Sequence, residues 1–438
     1  MNTSETAIIT TYEPTFAGPA SEPAAAAPTV GASRPRVALV HGIWDSPETP
    51  ERALMVMSLL RALEIIPLLA ICEPAPRASA DDLCRYHSAE YVELLRLEDG
   101  EDEEVLARHG LSYDAPLFPG VWEYSTTVAG GSLRAAELLA TGACDVAIHW
   151  QGGRHHATSD RAGGFCYVND IVLAALRLVR AFRTVVVIDL DVHHGNGTEE
   201  AFAHSANVLN VSLHLHAPGF YPGTGALADC GSGRGTGTTV NVPLRPGLSP
   251  AAFARVFAEV AALTHRWVGE QHCGVVVQCG ADGLRGDPRG GLNLDPASLA
   301  AAVGTVLGWG LPTLLLGGGG YVETNVARAW ALCTATALGV EIEVDQQIPD
   351  SDEYYERYRD GSFLLRAVGT PLGGERGEEP APLSQSDQND EVYLQQLLST
   401  LRARFPPAAA GEALRGSLPD EGEGGGARSA KRLRAADG

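Results

Sequence analysis

Two carboxylates and two imidazoles lie within the short run 189–194 of the chain. Because side chains alternate between two faces of an extended chain, Asp189, Asp191 and His193 could share one face. Two oxygen ligands and one nitrogen ligand suit Zn²⁺, and a catalytic zinc keeps one position open for water or substrate. Asp282, which follows another apolar run, is the natural candidate for a ligand from elsewhere. The pattern predicts a catalytic zinc site, with ordinary turn or cap aspartates as the alternative.

A second polar group, His155 and His156, follows the apolar stretch that ends at Trp150. Adjacent imidazoles held by carboxylates suit proton transfer, because imidazole titrates near neutral pH. Four glycines at 317–320 then lead into Tyr321, and glycine permits a close backbone approach. Taken singly, the histidines could be a surface pair and the glycines a flexible turn.

These side chains need a scaffold that brings distant segments together. From Arg36 to about Ala367, short apolar runs alternate with longer amphipathic segments, which predicts one α/β domain with a central, mainly parallel sheet flanked by helices. The clearest predicted strands are Asp145–Trp150, Thr184–Asp189, Val208–Leu213, Gly274–Cys279 and Pro312–Leu316. The predicted helices are Glu51–Glu64, Thr127–Ala140, Asp170–Phe182, Pro250–Val268, Pro296–Trp309 and Asn325–Leu338. Such sheets bind ligands at the carboxyl ends of their strands, where the polar groups fall.

The two ends of the chain differ from this domain in composition. Residues 1–35 are rich in Ala, Pro, Ser and Thr without periodicity, which predicts a disordered leader. Residues 368–438 are predicted to form a mostly disordered tail with a candidate helix at 391–405. That helix could dock on the domain, the preferred interpretation, or on a partner, through Leu394, Leu397, Leu398, Leu401 and Phe405. The basic cluster at 430–434 is compatible with nuclear import, and a solvated tail is the alternative.

Charge and cysteine usage limit the partners and the compartment. The net charge of −22 argues against direct nucleic-acid binding, which needs clustered cations, and favours a basic peptide as partner. Eight cysteines without a C-x-x-C pair indicate reduced thiols in an intracellular protein. Neither a secretory signal nor an apolar run of membrane-spanning length is found, so a soluble protein of the nucleus or cytoplasm, without a membrane partner, is predicted.

Taken together, these motifs resemble the histone deacetylase family over roughly Arg36 to Ala367. The matching motifs are the histidine pair at 155–156, GGFCYVND at 163–170, DLDVHHG at 189–195, YPGTG at 221–225, CGAD at 279–282 and the glycine run into Tyr321. The resemblance implies an arginase/deacetylase-like fold. It also implies a hydrolase with one Zn²⁺ per subunit that releases acetate from N6-acetyl-lysine in histones or other proteins.

The resemblance further implies a role for each matching residue of the reaction centre. His156 corresponds to the general base and acid, His155 to its electrostatic neighbour, and Asp189 to the carboxylate that orients His155. Tyr321 corresponds to the phenol that polarises the scissile carbonyl together with zinc. The implied zinc ligands are Asp191, His193 and Asp282.

A substrate tunnel and a second ion are implied in the same way. Phe165 and Tyr221 correspond to the tunnel walls around the lysine methylenes, and Gly164 lies between wall and metal. Asp114 corresponds to a rim carboxylate that grips the substrate backbone, and Arg52 to an arginine of an internal acetate channel. A structural potassium ion would be held by Asp189, Asp191, His193, Ser212 and Leu213.

Three departures from the family pattern bear on substrate and partners. Asn196 replaces the aspartate of class I members and matches class II; an amide can orient His156 but cannot offset its developing charge. Arg289 stands where the polyamine-selective relative has glutamate, so poor turnover of N-acetylspermidine is expected. The basic residues with which class I members bind inositol phosphate beside a corepressor are replaced, so that mode is not expected here; the substitutes are Thr49, Pro288 and Thr324.

Other functions compete with this interpretation. A dinuclear manganese ureohydrolase would want carboxylates that bridge two metals, whereas Gly195 follows the two histidines directly. A deacetylase of small acetylamides such as acetylpolyamines differs only in substrate and is the main alternative. An inactive scaffold that binds acetylated peptides would be expected to have lost a metal ligand or the tyrosine, and this chain keeps them all.

Overall fold

A computed structural model describes five stretches of the chain, residues 35–41, 49–72, 76–97, 102–366 and 385–405. The predicted leader, apart from residue 35, and the basic cluster at 430–434 lie outside them. Among the described helices, none has the length and apolar character that crossing a membrane requires.

Eight strands build one sheet, and within the described residues every strand pair is parallel. They are β1 Val37–Val40, β2 Ala70–Cys72, β3 Val146–His149, β4 Thr184–Asp189, β5 Val208–Leu215, β6 Thr239–Leu244, β7 Cys273–Gln278 and β8 Thr313–Leu316. Their order across the sheet is β2-β1-β3-β8-β7-β4-β5-β6. The central strands β4 and β7 are buried along their whole length because helices cover both faces, and the prediction of a mainly parallel sheet is confirmed.

Eleven α-helices lie within the described residues, together with short 3₁₀ turns at Ile66–Leu68, Gly233–Gly235 and Tyr355–Gly361. The helices are α1 Arg52–Ala62, α2 Ala80–Leu83, α3 Ala89–Leu97, α4 Glu103–Arg108, α5 Val121–Ala140, α6 Asp170–Phe182, α7 Asn196–Phe202, α8 Pro250–Val268, α9 Pro296–Leu307, α10 Glu323–Ala337 and α11 Glu391–Arg404.

Local capping signals explain why three helices begin at their predicted residues. The side chains of Asn169, Ser249 and Asp295 accept hydrogen bonds from backbone N–H groups in the first turns of α6, α8 and α9. Proline also occupies the first position of α8 and α9, where its missing N–H costs nothing. These signals are local, so they are readable from sequence.

Helix α5 begins at Val121, six residues before the predicted Thr127. Gly120 precedes it in the left-handed region, at φ +90°. Val121 and Tyr124 are buried in an aromatic cluster with Tyr91, away from the sheet. Packing in that cluster, rather than helical propensity, extends the helix backwards.

The helices form a layer on each face of the sheet. Helices α1, α8, α9 and α10 pack in the larger core cluster, and α5 and α6 pack in a second cluster on the other face. Helix α11 lies against α8 and the edge strand β6, with four leucines buried in the larger core: Leu394, Leu397, Leu398 and Leu401. This packing agrees with the preferred interpretation that the helix docks on its own domain.

Candidate active site

The loops after four neighbouring strands meet at one edge of the sheet. Strands β3, β8, β7 and β4 lie side by side, and their carboxyl ends are His149, Leu316, Gln278 and Asp189. Backbone hydrogen bonds join the loops as they leave the sheet: Cys279 N–H donates to Leu316 O at 2.9 Å, and Leu190 N–H to Gln278 O at 3.0 Å. Polar residues far apart in the chain therefore share one small volume.

A buried group of Asp191, His193 and Asp282 can hold a metal ion. One ligand atom from each residue lies within 4.8 Å of the others. His193 Nδ1 is 3.1 Å from Asp191 Oδ1 and 3.0 Å from Asp282 Oδ2. Two carboxylate oxygens and one imidazole nitrogen form a donor set that zinc takes when one position stays open.

The outward oxygens of both carboxylates are already held by neighbouring groups. Asp191 Oδ2 accepts hydrogen bonds from Gln278 Nε2 at 2.9 Å and from Gly319 N–H at 2.8 Å. Asp282 Oδ1 accepts one from Val192 N–H at 2.9 Å. A Cβ at Gly319 would lie 2.0 Å from Asp282 Oδ2, so only glycine fits this approach. These hydrogen bonds therefore orient the inner oxygens of Asp191 and Asp282 toward one metal position.

Asp189 does not join this group, although alternation along an extended chain predicts that it could. The chain leaves β4 at Asp189 and bends, and the Asp189 carboxylate faces His155 instead, with Oδ2 2.7 Å from His155 Nδ1. Its other oxygen accepts the Asp191 N–H at 3.1 Å. Only two of the three alternating residues thus face the metal position.

The two histidines have different partners. His155 lies against the carboxylate of Asp189, whereas His156 Nδ1 lies 2.7 Å from the amide oxygen of Asn196. Burial by itself would lower the pKa of His155, but the carboxylates of Asp189 and Asp191 outweigh burial and raise it to about 9. Burial and the neighbouring positive charge of His155 lower the pKa of His156 well below its usual value. His155 is therefore charged and His156 neutral near pH 7.

The loop that carries the histidines is fixed from below by Asp170. This buried carboxylate accepts hydrogen bonds from Gly153 N–H at 2.9 Å and from Arg154 N–H at 2.7 Å. Ser132 Oγ donates to it at 2.5 Å and also lies 2.9 Å from His149 Nδ1. The first residue of α6 thus positions the backbone directly before His155.

Aromatic rings surround the approach to the metal position. Tyr221 lies edge-on to His156 with ring centroids 4.9 Å apart, and Phe165 lies edge-on to Tyr321 at 5.9 Å. Gly164 and Phe165 both have left-handed backbones, at φ +54° and +61°. A Cβ at Gly164 would lie 2.2 Å from the His156 ring, so this wall closes on the histidine only with glycine.

Tyr321 and Arg289 are linked through one buried carboxylate. Asp287 accepts the Tyr321 N–H at 2.8 Å and the Arg289 N–H at 2.9 Å. The Arg289 guanidinium lies 4.7 Å from the Phe165 ring centroid and 5.2 Å from that of Tyr321. Burial, together with the nearby Asp282 and Asp191, raises the pKa of Tyr321 well above its usual value, so its hydroxyl remains a donor.

Two further predicted residues lie at opposite ends of this space. Asp114 Oδ2 accepts the Gly164 N–H at 2.9 Å and so braces the wall loop near the rim. The fully buried Arg52 donates from Nη1 to Gly318 O at 3.0 Å and to Gly320 O at 3.1 Å. Arg52 also lines the same narrow cavity as His156 and Tyr321.

Several residues that shape the site were missed from sequence. Gln278 carried a usable signal, since it is a polar residue at the end of an apolar strand. Asp170 stood in a motif but was not given a role. Asp287 and Phe220 lie in loops whose sequence gives no pattern that indicates a role. The Phe220 ring stacks on His193 with ring centroids 5.1 Å apart. Their contacts arise from folding rather than from spacing.

Comparison with known proteins agrees with this geometry. The chain matches the model of the histone deacetylase domain over residues 46–337. The chain belongs to the histone deacetylase family. It is 38% identical to histone deacetylase 8 of Danio rerio over 361 residues, which cover 82% of this chain and 90% of that protein. It is also 40% identical to histone deacetylase RPD3 of Saccharomyces cerevisiae over 316 residues, or 71% of each chain.

Membership makes this histone deacetylase homologue a lysine deacetylase, a hydrolase that removes acetyl groups from lysine side chains. The arginase/deacetylase fold expected from sequence is confirmed. The family depends on zinc, and the buried group of Asp191, His193 and Asp282 is able to hold a metal.

Proposed function

We propose that the chain hydrolyses N6-acetyl-lysine in histones or other proteins and releases acetate, with zinc bound by Asp191, His193 and Asp282. The observation that carries the proposal is the position of His156. This neutral imidazole lies beside both the metal-binding group and the aromatic wall, with its ring centroid 5.9 Å from that of His193 and 4.9 Å from that of Tyr221. A general base must lie there to serve a water next to the metal.

The protein supplies proton transfer and charge stabilisation around the metal. Zinc, when bound, acts as a Lewis acid and lowers the pKa of a coordinated water. His156 accepts a proton from the attacking water and later donates it to the leaving lysine amine. His155, which Asp189 keeps charged, stabilises negative charge that develops nearby. Tyr321, still protonated, donates a hydrogen bond to the carbonyl oxygen as it becomes an oxyanion.

Asn196 determines which nitrogen of His156 acts. Its amide oxygen accepts a hydrogen bond from His156 Nδ1–H, so Nε2 is left with the lone pair. The hydrogen bond to this uncharged amide raises the pKa of His156 by less than burial and the charge of His155 lower it.

The tunnel and its rim suit an extended acetyl-lysine side chain on a peptide. Phe165 and Tyr221 offer apolar surface to the lysine methylenes, and Gly164 leaves room beside His156. Asp114 carries one oxygen engaged by Gly164 N–H and a second available to substrate backbone N–H groups. Arg52, below the metal group, offers positive charge to the acetate product.

Arg289 favours peptides over free polyamines. Its guanidinium lies over two aromatic rings at the rim, so a substrate amine that enters there meets a like charge. An acetylpolyamine carries further ammonium groups that a peptide can place elsewhere. We therefore keep the acetylpolyamine reaction as the disfavoured alternative.

A structural potassium ion forms a further part of the proposal. Asp189 and Ser212 are paired in register across β4 and β5, which brings the residues named for this ion to one level of the sheet. Side-chain and backbone oxygens of Asp189, Asp191, His193, Ser212 and Leu213 would ligate it.

The expected partners are acetylated lysine peptides or histone tails, in the nucleus or cytoplasm, without direct nucleic-acid binding. Thr49, Pro288 and Thr324 lack the positive charge that an inositol phosphate would need.

The test is a panel of acetyl-lysine peptides and acetylpolyamines assayed with the full-length chain, before and after removal of metal by a chelator. Activity on peptides should disappear with the chelator and return with zinc, and N-acetylspermidine should be a poor substrate. His156→Ala serves as the inactive control. Peptide turnover that survives complete metal removal would refute the proposal.

A matched variant separates the chemistry from the substrate preference. Arg289→Glu should raise kcat/KM for N-acetylspermidine by roughly tenfold or more, because the repulsion becomes attraction. Arg285→Glu, an exposed arginine in the same loop, carries the same charge change and should not. Equal gains in kcat/KM for N-acetylspermidine in both variants would show that the net charge of the protein, rather than the position of the residue at the rim, determines the substrate preference.

A further inference from the structure

An open groove lies between helices α5 and α6, and it shares no lining residue with the cavity at the metal group. Its volume is about 890 Å³. Five arginines line it: Arg77, Arg85, Arg134, Arg177 and Arg180. Only two carboxylates, those of Asp82 and Glu137, line it with them. This concentration of positive charge stands out in a chain whose net charge is −22.

The arginines of the groove are weakly engaged by the protein itself. Three exposed ion pairs involve these arginines: Arg85 with Asp82 at 3.5 Å, Arg134 with Glu137 at 3.3 Å and Arg77 with Glu123 at 3.4 Å, and all six side chains are at least 35% exposed. Exposed pairs of this kind contribute about 0–1 kcal/mol and exchange readily. Among the described residues, no ion pair engages Arg177 or Arg180. The groove can therefore offer its cations to another molecule.

Helix geometry makes the groove an elongated apolar trough with charged sides. The lining residues of α6 at 173, 176, 177 and 180, and those of α5 at 130, 133, 134 and 137, each follow helical i, i+3, i+4, i+7 spacing. Each row spans two turns, about 10 Å at 1.5 Å per residue. Leu133, Leu176 and Val179 supply apolar surface that remains partly exposed between the cations.

A single arginine in the last turn of a helix would need no ligand, because it offsets the negative end of the helix dipole. Arg180 has that position in α6. The other four cations come from α5, from earlier in α6, from the segment after α2 and from the segment before it. Convergence from four segments on one apolar trough exceeds what capping one helix requires.

From this charge complementarity we infer that the groove is a docking site for an acidic amphipathic helix of a partner protein. Leucine-like side chains of that helix would lie on Leu133, Leu176 and Val179, and its flanking carboxylates would meet Arg134, Arg177 and Arg180. Docking of an amphipathic helix into an apolar groove with charged sides is a general mode of peptide recognition. The partner helix would bind in the groove between α5 and α6, outside the substrate tunnel.

The probe is a short, fluorescently labelled peptide with leucines along one helical face and glutamates on the others. Binding to the full-length protein is followed by anisotropy at low and at physiological salt, since screening weakens exposed charge pairs. The double variant Arg177→Glu/Arg180→Glu should raise the Kd by about tenfold or more. Deacetylation of an acetyl-lysine peptide should stay unchanged, which also shows that the variant is folded.

The control variant is Arg61→Glu/Arg266→Glu, which makes the same charge change in the last turns of α1 and α8, on the other face of the sheet. It should leave the Kd within about twofold. Equal loss of binding in both variants, or no binding by the unchanged protein at low salt, would overturn the inference. The inference would also be overturned if a glutamate-only peptide bound as tightly as the amphipathic peptide, or if a single-stranded RNA bound more tightly. Neither of these molecules has leucines to place on the apolar trough.

Discussion

The Nε2 atoms of His155 and His156 lie 3.0 Å apart, and the two rings have opposite surroundings. His155 contacts the carboxylate of Asp189, whereas His156 contacts the uncharged amide of Asn196. One imidazolium beside one neutral imidazole is the state that these partners stabilise. The charged His155 therefore donates its Nε2–H to the lone pair of His156 Nε2, and the pair combines a positive charge with a neutral imidazole, two tasks that a single histidine could not perform at one pH.

Tyr321→Phe removes the hydroxyl that donates to the developing oxyanion and leaves the ring that packs near Phe165. We expect kcat to fall by about 10²–10³-fold with little change in KM, because the hydrogen bond is strongest in the transition state. Steady-state kinetics on an acetyl-lysine peptide measure this, and thermal unfolding serves as the control for folding. Nearly unchanged turnover would remove Tyr321 from the mechanism.

Asn196→Asp places a negative charge 2.7 Å from His156 Nδ1 in the geometry that the amide oxygen now has. The charge favours the imidazolium form and so raises the pKa of His156 above its present, lowered value. Since the neutral form is the base, the acidic limb of the profile of kcat/KM against pH should move to higher pH. An unmoved limb in this variant would mean that another group controls it.

Gln278→Leu removes the 2.9 Å hydrogen bond to the outer oxygen of Asp191, together with those to Gly153 O and from Gly280 N–H, and keeps a buried side chain of similar size. Loss of such an outer contact commonly lowers metal affinity about 10–100-fold. Zinc competition with a chromophoric chelator measures the change. Gln271→Leu, an exchange outside the site, is the matched control and should bind zinc as the unchanged protein does.

His149→Asn tests a titration inside the core. Burial, with the nearby cations His41 and Arg154, lowers the pKa of His149 from 6.5 to about 3. The unfolded chain therefore binds a proton between pH 6.5 and 3 that the folded protein does not, and this lowers stability as the pH falls. The variant does not lose stability in this way. The difference in unfolding free energy between the unchanged protein and His149→Asn should therefore shrink by about 1.4 kcal/mol per pH unit below 6.5.

Urea unfolding of metal-free protein at several pH values measures this difference without a contribution from metal release. A difference in unfolding free energy between His149→Asn and the unchanged protein that stays constant with pH would contradict the lowered pKa of His149.

Leu397→Ala tests whether α11 belongs to the folded domain. Leu397 is 2% exposed and packs in the larger core, so its truncation should cost about 2–5 kcal/mol of unfolding free energy. Arg402 lies on the same helix and pairs with Glu259 at 2.8 Å, but it is largely exposed. Arg402→Ala should cost under about 1 kcal/mol, and comparable losses in the two variants would argue against burial as the cause.

Much of the scaffold was predictable because its signals are local. Apolar β-branched runs marked strands such as β4, and cap residues such as Ser249 marked helix starts. The start of α5 was wrong by six residues because Val121 and Tyr124 are held by a distant aromatic cluster. Helix boundaries fail where contacts between distant segments outweigh local preference.

The sequence by itself determined the residue types of the centre, since Asp191, His193 and Asp282 follow strands whose ends must meet at one edge of a parallel sheet. Only the tertiary structure decided that Gln278 holds the ligand Asp191, that Asp287 holds the backbone of Tyr321, and that Asp170 holds the histidine loop. The reason is physical. Spacing along the chain sets which face a residue can occupy, whereas strand order and packing set which distant group meets it there.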